Sequence, residues 1–516
     1  MSRVAVVGSG PAGIGATTVL LERGHEVTLF DGGQIHEDPG FIEGVAERLR
    51  AGRRPSTSQW RRMLGVTGGA PLAAASQALL GEVDPRAVAK RILGSDFVFR
   101  GADHAPPARG DWLPRSLAVG GLANAWGAAC YTPRSDDYGW LGLDEQVLRP
   151  HLVRAMQLMG VTGSLDGTSL AYPDLGALQV LRQPRDPRSP LGRLVGRWSP
   201  DALARHGLAG GRSRLAVDAL DGAGSCVRCG LCALGCATAS IWSPRHALPG
   251  VRVVHRAGVL VERIEEGSGG ARILTTAGED AGTFDHVLLA AGVLGSAVIA
   301  RRTLGRTRMH ARISENDVYL LPMVPIRPGG WHRRRGFGLS EGVLALGPGV
   351  VADGPVHVQI YRVGLPLLGP LGKVLGAGPR LGVRALDRAA GAGVLAFVYA
   401  HGQDSRDISL ELDDRWIAVS AGPPSSEPIA RAVAARLTAA AGATGLLPLT
   451  PLLRGTGPGT SVHLAASLAD EVDGEGRLGG SDRVRVVDAS VLPASPAQNL
   501  TLMATANAMR IAAEVP

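Results

Sequence analysis

The sequence predicts an α/β fold that opens on a Rossmann-type unit and adds a second, strand-rich α+β unit. Three observations predict it. The chain begins with strand, glycine turn, helix, strand and acid in the order a mononucleotide-binding half requires. Strand-like runs at Val318 to Val324, Val356 to Val363 and Leu395 to Ala400 precede a helix pattern at Pro428 to Ala441. The composition, 45% hydrophobic and 19% charged, fills a large core and excludes a disordered chain. At about 150 residues per domain the length alone suggests roughly three domains.

The first unit is justified element by element. The apolar strand Arg3 to Val7 runs into Gly8-Ser9-Gly10-Pro11-Ala12-Gly13, then a helix from Ile14 to Arg23, a turn at Gly24-His25 and a strand from Val27 to Phe30 that ends in Asp31. Gly8 permits the tight turn, Gly10 lets a pyrophosphate approach the backbone, and Gly13 lets the helix pack on the strand. Ala12 completes the cradle, and the helix N-terminus offers free N–H groups to phosphate. Asp31 is placed to accept hydrogen bonds from a ribose. In a chain with 72 glycines an ordinary glycine turn is the plain alternative, but both strands, the helix and the acid favour a dinucleotide site. The motif does not separate FAD from NAD.

Charge and targeting patterns exclude several other classes. Lys and Arg number 54 against 46 acids, a net charge of +8, and the only lysines are Lys90 and Lys373. The arginines are scattered without aromatic interleaving, the pattern of a solvated face and not of a nucleic-acid partner. No apolar run of about 18 residues appears; Val287 to Ala300 and Val363 to Gly372 are short or broken, so no membrane span is expected. A buried-strand pattern begins almost at Met1, where a secretory leader would need a charged start and an apolar run, so the expected location is the cytoplasm.

The five cysteines are not dispersed as reduced core residues would be. Cys226, Cys229, Cys232 and Cys236 fall in one run spaced C-x2-C-x2-C-x3-C, with Gly230 and Gly235 freeing the backbone to wrap. That spacing suits one iron–sulfur cluster, a four-iron cluster being preferred. Tetrahedral zinc is the rival, although structural zinc sites come as two separated pairs, and plain reduced thiols are the third reading. Ala237 stands where a ferredoxin run has proline, and no second cysteine set exists. Cys130 reads as a core residue, with a remote ligand as the alternative.

Further segments carry a resemblance. Val119-Gly120-Gly121-Leu122-Ala123-Asn124 is a second glycine loop, Asp285 to Ser296 reads DHVLLAAGVLGS, and Val484 to Asn499 runs VRVVDASVLPASPAQN. Asp404 to Leu410 is a further strand, and His463 lies 36 residues before Asn499. Together these resemble the glucose-methanol-choline oxidoreductase family along nearly the whole chain. One departure is local: where the family has His-x-x-Gly-Thr this chain has His463-Leu464-Ala465-Ala466-Ser467, which puts the backbone at the base in question.

The resemblance implies FAD, with Gly120, Gly121, Asn124, Val261, Ala291, Gly292, Asp488 and Ala489 joining the first turn in holding it. It implies His463 and Asn499 as the catalytic pair, and the chemistry agrees: removing a hydroxyl proton needs a base poised near neutrality, and an amide can orient the alcohol oxygen while hydride leaves for the flavin. Without the resemblance, His463 has no preference over His357 or His401. Relatives with a comparable cysteine insert hold a cluster near the flavin, in some a three-iron cluster.

The implied organisation is a discontinuous FAD-binding domain (1–35, 111–130, 245–310, 455–516), an insertion (36–110) without chemical signal, and a cluster insert (226–240). A substrate domain (131–225, 311–454) would roof the flavin with an antiparallel sheet. Gly364 to Leu371, apolar and turn-rich, is the expected seat of specificity. The implied function is an FAD-dependent dehydrogenase of a CH–OH group, on a sugar, aminocyclitol or glycosylated metabolite by analogy with cluster-bearing relatives. Its electrons would leave through the cluster to a ferredoxin, cytochrome or quinone-like acceptor. The rivals are a ferredoxin-driven reductase of a carbonyl or activated double bond, and a flavin electron-transfer protein without catalysis.

Overall fold

In the computed structural model five short strands form one parallel sheet, ordered Val484–Val486, His286–Leu289, Arg3–Val7 (β1), Glu26–Asp31 (β2) and Val254–Ala257. The structure describes residues 1–63, 91–101, 107–175, 189–218, 225–250, 252–327, 331, 338–362 and 393–516. Val4 to Val7 are buried on both faces, which is why β1 reads as a continuous apolar run and not as an alternating one. One neighbour of β1 is the next strand in sequence and the other comes from far along the chain; after β2 the polypeptide leaves this sheet and re-enters it at Val254–Ala257, His286–Leu289 and Val484–Val486.

The turn after β1 is shaped by absent side chains. Gly8 has φ +112°, and a Cβ there would sit 2.2 Å from the Ala290 carbonyl oxygen. The helix α1 (Pro11–Glu22) starts with proline in its first turn, where the missing N–H costs nothing. A Cβ on Gly13 would lie 1.8 Å from the Gly8 carbonyl oxygen, so α1 is seated as low on the strand as a backbone can be. A Cβ on Gly15 would meet Thr505 Cγ2 at 2.8 Å, and α1 packs there against the C-terminal helix Thr501–Ala513.

A second sheet is antiparallel, ordered Leu446–Pro448, Val318–Pro325, Val394–Ala400, Val356–Arg362, Ser340–Leu346 and Ala209–Arg212. Its three middle runs and the helix Glu427–Ala439 are the elements the pattern predicts. Val363 and the segment Gly364 to Leu371 lie outside the described residues. A smaller sheet carries Leu464–Ala465, Met309–Glu315, Ile408–Leu412 and Ile417–Ala421 antiparallel, with Ala108–Gly110 added parallel at its edge, so the corner Glu315-Asn316-Asp317 joins the antiparallel parts of the two sheets. Among the described residues no helix is long and apolar enough to cross a membrane.

The described part of the insertion has a task that its sequence does not show. Val45 and Met63, on the helices Pro39–Arg50 and Thr57–Met63, gather with Ile92, Leu93 and Phe97 around Leu231 of the cysteine loop. Leu93 N–H donates to the Leu234 carbonyl at 2.6 Å. The insertion is thus an apolar bed under the cysteines.

The two glycines of the first turn should respond differently to alanine. Gly8→Ala places a methyl into the Ala290 carbonyl and should destabilise the fold by more than about 2 kcal/mol. Around Gly10 there is nothing within 4 Å of a built Cβ, and the backbone is extended. Gly10→Ala should keep the melting temperature of the cofactor-free protein and weaken dinucleotide binding. Equal melting losses in the two variants would contradict this division.

Candidate active site

One cavity of about 470 Å³ collects most of the residues singled out by sequence. Gly8, Gly10, Ala12, Asp31, Gly121, Val261, Ala291, Gly292, Asp488 and Ala489 line it, and so do His463 and Asn499. Gln359, Tyr361, Tyr399 and Trp126 complete the wall near His463 and Asn499. Three nominated residues stand behind the lining. Gly13 is spent on packing. Gly120 (φ +88°) donates its N–H to Ser9 Oγ at 2.9 Å. Asn124 donates to the Val119 and Gly121 carbonyls at 2.9 and 2.8 Å and accepts from Ser243 Oγ at 3.0 Å, so its amide fixes the loop.

Two buried acids anchor the dinucleotide side. Asp31 accepts from Gly33 N–H at 2.8 Å, and His255 Nε2 lies 3.0 Å from its other oxygen. Asp488 accepts from Gly292 N–H at 2.8 Å and Ser296 Oγ at 2.6 Å, and its second oxygen takes Ser490. Burial raises the Asp488 carboxyl above the ordinary range, and these donors oppose the rise. The bonds tie the start of the helix Gly292–Thr303 to the segment leading to Asn499.

His463 and Asn499 are in contact, with Asn499 Nδ2 3.1 Å from His463 Nε2. On its other side His463 Nδ1 faces Asn316 Oδ1 at 3.2 Å. Gln359 Nε2 donates to Asn499 Oδ1 and lies 3.1 Å from His357 Nε2, while Tyr361 O–H donates to Gln359 Oε1. What remains uncovered of His463 opens on the cavity that it lines. Burial pushes its imidazole down to about 4, so the ring is neutral at pH 7 and able to take a proton.

Sequence reasoning missed Asn316, Gln359, Tyr361 and Glu315. Glu315 is fully enclosed and accepts from Gly459 N–H at 2.8 Å, Ser461 N–H at 3.2 Å and Ser461 Oγ at 2.7 Å. Burial pushes it up to about 7 against these donors. His463 N–H donates in turn to Ser461 Oγ at 3.0 Å, so Glu315 fastens the loop that carries the histidine. No local pattern marks these residues. Only the strand run at Val356 to Val363 contains one of them in a place where an inward polar side chain stands out.

The cysteines form a second site. Cys226, Cys229, Cys232 and Cys236 all line one small cavity with Thr238, Ser240 and Leu339, and none is in a disulfide. Arg228, Gly230, Gly235 and Ala239 all have positive φ, which wraps the loop around that space. Burial raises the Cys226 thiol and pushes Cys229 up to about 11, with the neighbouring thiols adding to both. Cys130 lies apart, buried with its Sγ 3.9 Å from Met159 Sδ. Among the described residues no group of three or more His, Cys, Asp or Glu is arranged to hold a metal ion.

The departure at Ala466 resolves at the backbone. Ala466 has φ +79°, in the left-handed region that favours the glycine of the family pattern, and Val462 on the other side of His463 has φ +59°. The turn is kept and a methyl is carried in it, at a cost of about 1–2 kcal/mol. Ala466→Gly should therefore raise the melting temperature and leave any turnover unchanged, with a net gain of about 0.5–1 kcal/mol after the entropy of glycine is counted. A lower melting temperature would show that the methyl packs usefully.

No family model and no curated protein matches the chain. Among solved structures, the crystal structure of pyridoxine 4-oxidase from Mesorbium loti is similar over 100% of this chain and 99% of its own, with a TM-score of 0.54 and 16% identity. At that identity the likeness bears on fold, and it spans both the parallel sheet and the antiparallel sheet above the cavity. The chain has the glucose-methanol-choline oxidoreductase fold.

Proposed function

We propose that the protein is an FAD-dependent oxidoreductase of the glucose-methanol-choline type that oxidises a CH–OH group of a small-molecule alcohol. One observation carries the reading: a neutral imidazole paired with an amide lines the same cavity as the glycine turn. The cradle fits a dinucleotide, since Gly10 leaves open space where phosphate would approach and Asp31 lies within reach of the cavity. When bound, FAD supplies a hydride acceptor.

The rest is done by the chain. His463 Nε2 takes the hydroxyl proton as the carbinol carbon gives up its hydride, leaving a carbonyl. Asn499 Nδ2 donates to the oxygen on which charge develops, and Gln359 keeps that amide turned towards it. Tyr361, Tyr399 and Trp126 keep the reacting carbon away from bulk water.

We further propose that Cys226, Cys229, Cys232 and Cys236 hold one iron–sulfur cluster, four-iron rather than three-iron. The enzyme would then be a dehydrogenase that passes electrons to a one-electron acceptor at the exposed Cys229. The shared cavity of the four thiols supports this. Such a cluster supplies one-electron transfer. The substrate proposed is a polyhydroxylated alcohol; the neighbour's name supports a hydroxymethyl aromatic and an oxidase as the second reading.

His463→Ala should lower kcat by about 10²- to 10⁴-fold with FAD still bound, and normal turnover would remove the base. Protonation disables that base, so kcat/KM should hold steady down to about pH 5 and fall as pH drops through about 4. An acid limb near 6.5, the ordinary histidine value, would contradict the buried neutral ring. Anaerobic purification should give iron, acid-labile sulfide and an electron paramagnetic resonance signal on reduction, all lost in Cys232→Ser and kept in Cys130→Ala; zinc or a colourless loop would end the cluster reading. Turnover of sugar, aminocyclitol and hydroxymethylpyridine panels with an artificial acceptor, against turnover with oxygen, separates dehydrogenase from oxidase.

A further inference from the structure

We propose that Asn316 is the positioning residue that holds the proton of His463 on Nδ1, and thereby makes Nε2 the base and Asn499 a donor. The inference rests on the alcohol-oxidising reading above and deepens it.

The argument starts from which way each amide must point. The Asn316 side chain is buried at the corner between the two antiparallel sheets. One end of it lies 2.8 Å from the Ala400 carbonyl oxygen and 2.9 Å from that of Pro496. Carbonyl oxygens only accept, so this end is the NH2. The other end is then the oxygen, and it faces His463 Nδ1 at 3.2 Å and Ser495 Oγ at 3.0 Å. An amide oxygen only accepts, so Nδ1 must carry hydrogen. A neutral imidazole carries one, and Nε2 is left with its lone pair.

The opposite side of the histidine does not decide the matter. If Gln359 and Asn499 were both turned over, Asn499 would present its oxygen to Nε2, and the Tyr361 and Gln359 contacts would be satisfied equally well. Side chains alone surround that end. Asn316 differs because two backbone carbonyls fix it, and the polarity propagates from there. Nε2 accepts, so Asn499 presents Nδ2; Asn499 Oδ1 then faces Gln359 Nε2, and Gln359 Oε1 takes the Tyr361 hydroxyl. The same step leaves His357 Nε2 as an acceptor from Gln359 and its Nδ1–H for Tyr172. A residue 147 positions from His463 in the chain thus sets which partner of the catalytic pair accepts and which donates. Both settings are those that alcohol oxidation requires: a lone pair for the hydroxyl proton and an N–H for the developing oxyanion.

A merely structural Asn316 would cross-link Ala400 and Pro496 without affecting the tautomer. Nitrogen-15 histidine NMR of the flavin-loaded enzyme, with the His463 signals assigned by their loss in His463→Ala, separates the two. Wild type should show a protonated Nδ1 and a bare Nε2. Asn316→Leu, similar in size and unable to accept, should lose that pattern and lower kcat/KM by about 10²- to 10⁴-fold at unchanged flavin content. Asn316→Asp, which keeps an acceptor oxygen against Nδ1 but loses the donor to the Ala400 and Pro496 carbonyls, should melt lower than wild type yet keep the Nδ1–H signature and more of the rate than Asn316→Leu.

A wild-type His463 with its proton on Nε2 overturns the inference without any variant. So does an Asn316→Leu protein that binds flavin and keeps both the tautomer and kcat/KM. If the wild type oxidises no alcohol, the proposed function fails on its own, and the wild-type NMR signature still decides this inference.

Discussion

The site depends on a contact made without side chains, the approach of Gly8 to the Ala290 carbonyl. Val7 accepts from Ala290 N–H at 2.8 Å and Gly8 N–H donates to the Phe30 carbonyl at 2.7 Å, so the first two strands and a third from far along the chain are locked at one level. Gly13 sets α1 on that layer with no room for a methyl. Ala291 and Gly292 follow at once, and Gly292 reaches Asp488. From Asp488 the chain has only eleven residues to Asn499, and the helix after it lies on α1 where Gly15 meets Thr505. The N-terminal turn and the Asn499 amide are therefore placed by one stack of backbone.

The facing wall is set by three consecutive residues at the corner between the antiparallel sheets. Glu315 holds the loop before His463, Asn316 faces the imidazole, and Asp317 accepts from Arg406 and Ser426 through its carboxylate while its own N–H donates to Ser405 Oγ. Burying two carboxylates side by side is unfavourable unless each is fully hydrogen-bonded. Asp317 is paired with a cation and Glu315 only with neutral donors, which agrees with the raised Glu315 carboxyl. That cost holds the histidine rigidly: it is anchored through Nδ1 and through its own N–H, while Nε2 meets Asn499 on the cavity side.

What the sequence made legible follows from the range of each interaction. Gly8, Gly10, Gly13 and Asp31 form a local pattern, since strand, turn and helix are consecutive and each glycine has one steric task. Three strands of the second sheet were readable from apolar runs, and their described ends agree within about one residue, while Ser340–Leu346 and Ala209–Arg212 were not singled out. His463 and Asn499 were visible only through resemblance, because a histidine in an apolar segment looks the same whether or not it faces a cavity. Asn316 left no signal, and Gln359 only that of a polar side chain in an apolar strand run: an inward amide has meaning only through partners a hundred or more residues away. The insertion was opaque for the opposite reason, since Val45, Ile92 and Phe97 are ordinary core residues whose task appears only when Leu231 lies against them.

The two cavities are separated by thin walls, and this links the cysteine loop to the chemistry proposed for the histidine. Trp126 lines the main cavity and donates its indole N–H to the Trp242 carbonyl at 2.9 Å, while Ile241, the preceding residue, lines the cysteine cavity. On another side Leu339 lines the cysteine cavity, and the strand it leads into pairs with the strand bearing Gln359 and Tyr361. Burial that raises Cys226 and Cys229 keeps these thiols protonated at pH 7 when nothing is bound. Ligation needs thiolates, so filling the loop would release protons, and the bound metal charge would offset the repulsion among the crowded thiolates. The apolar bed under the loop and the strand pairing beside it thus set the four thiols next to the cavity that His463 and Asn499 line, with Cys229 at the surface.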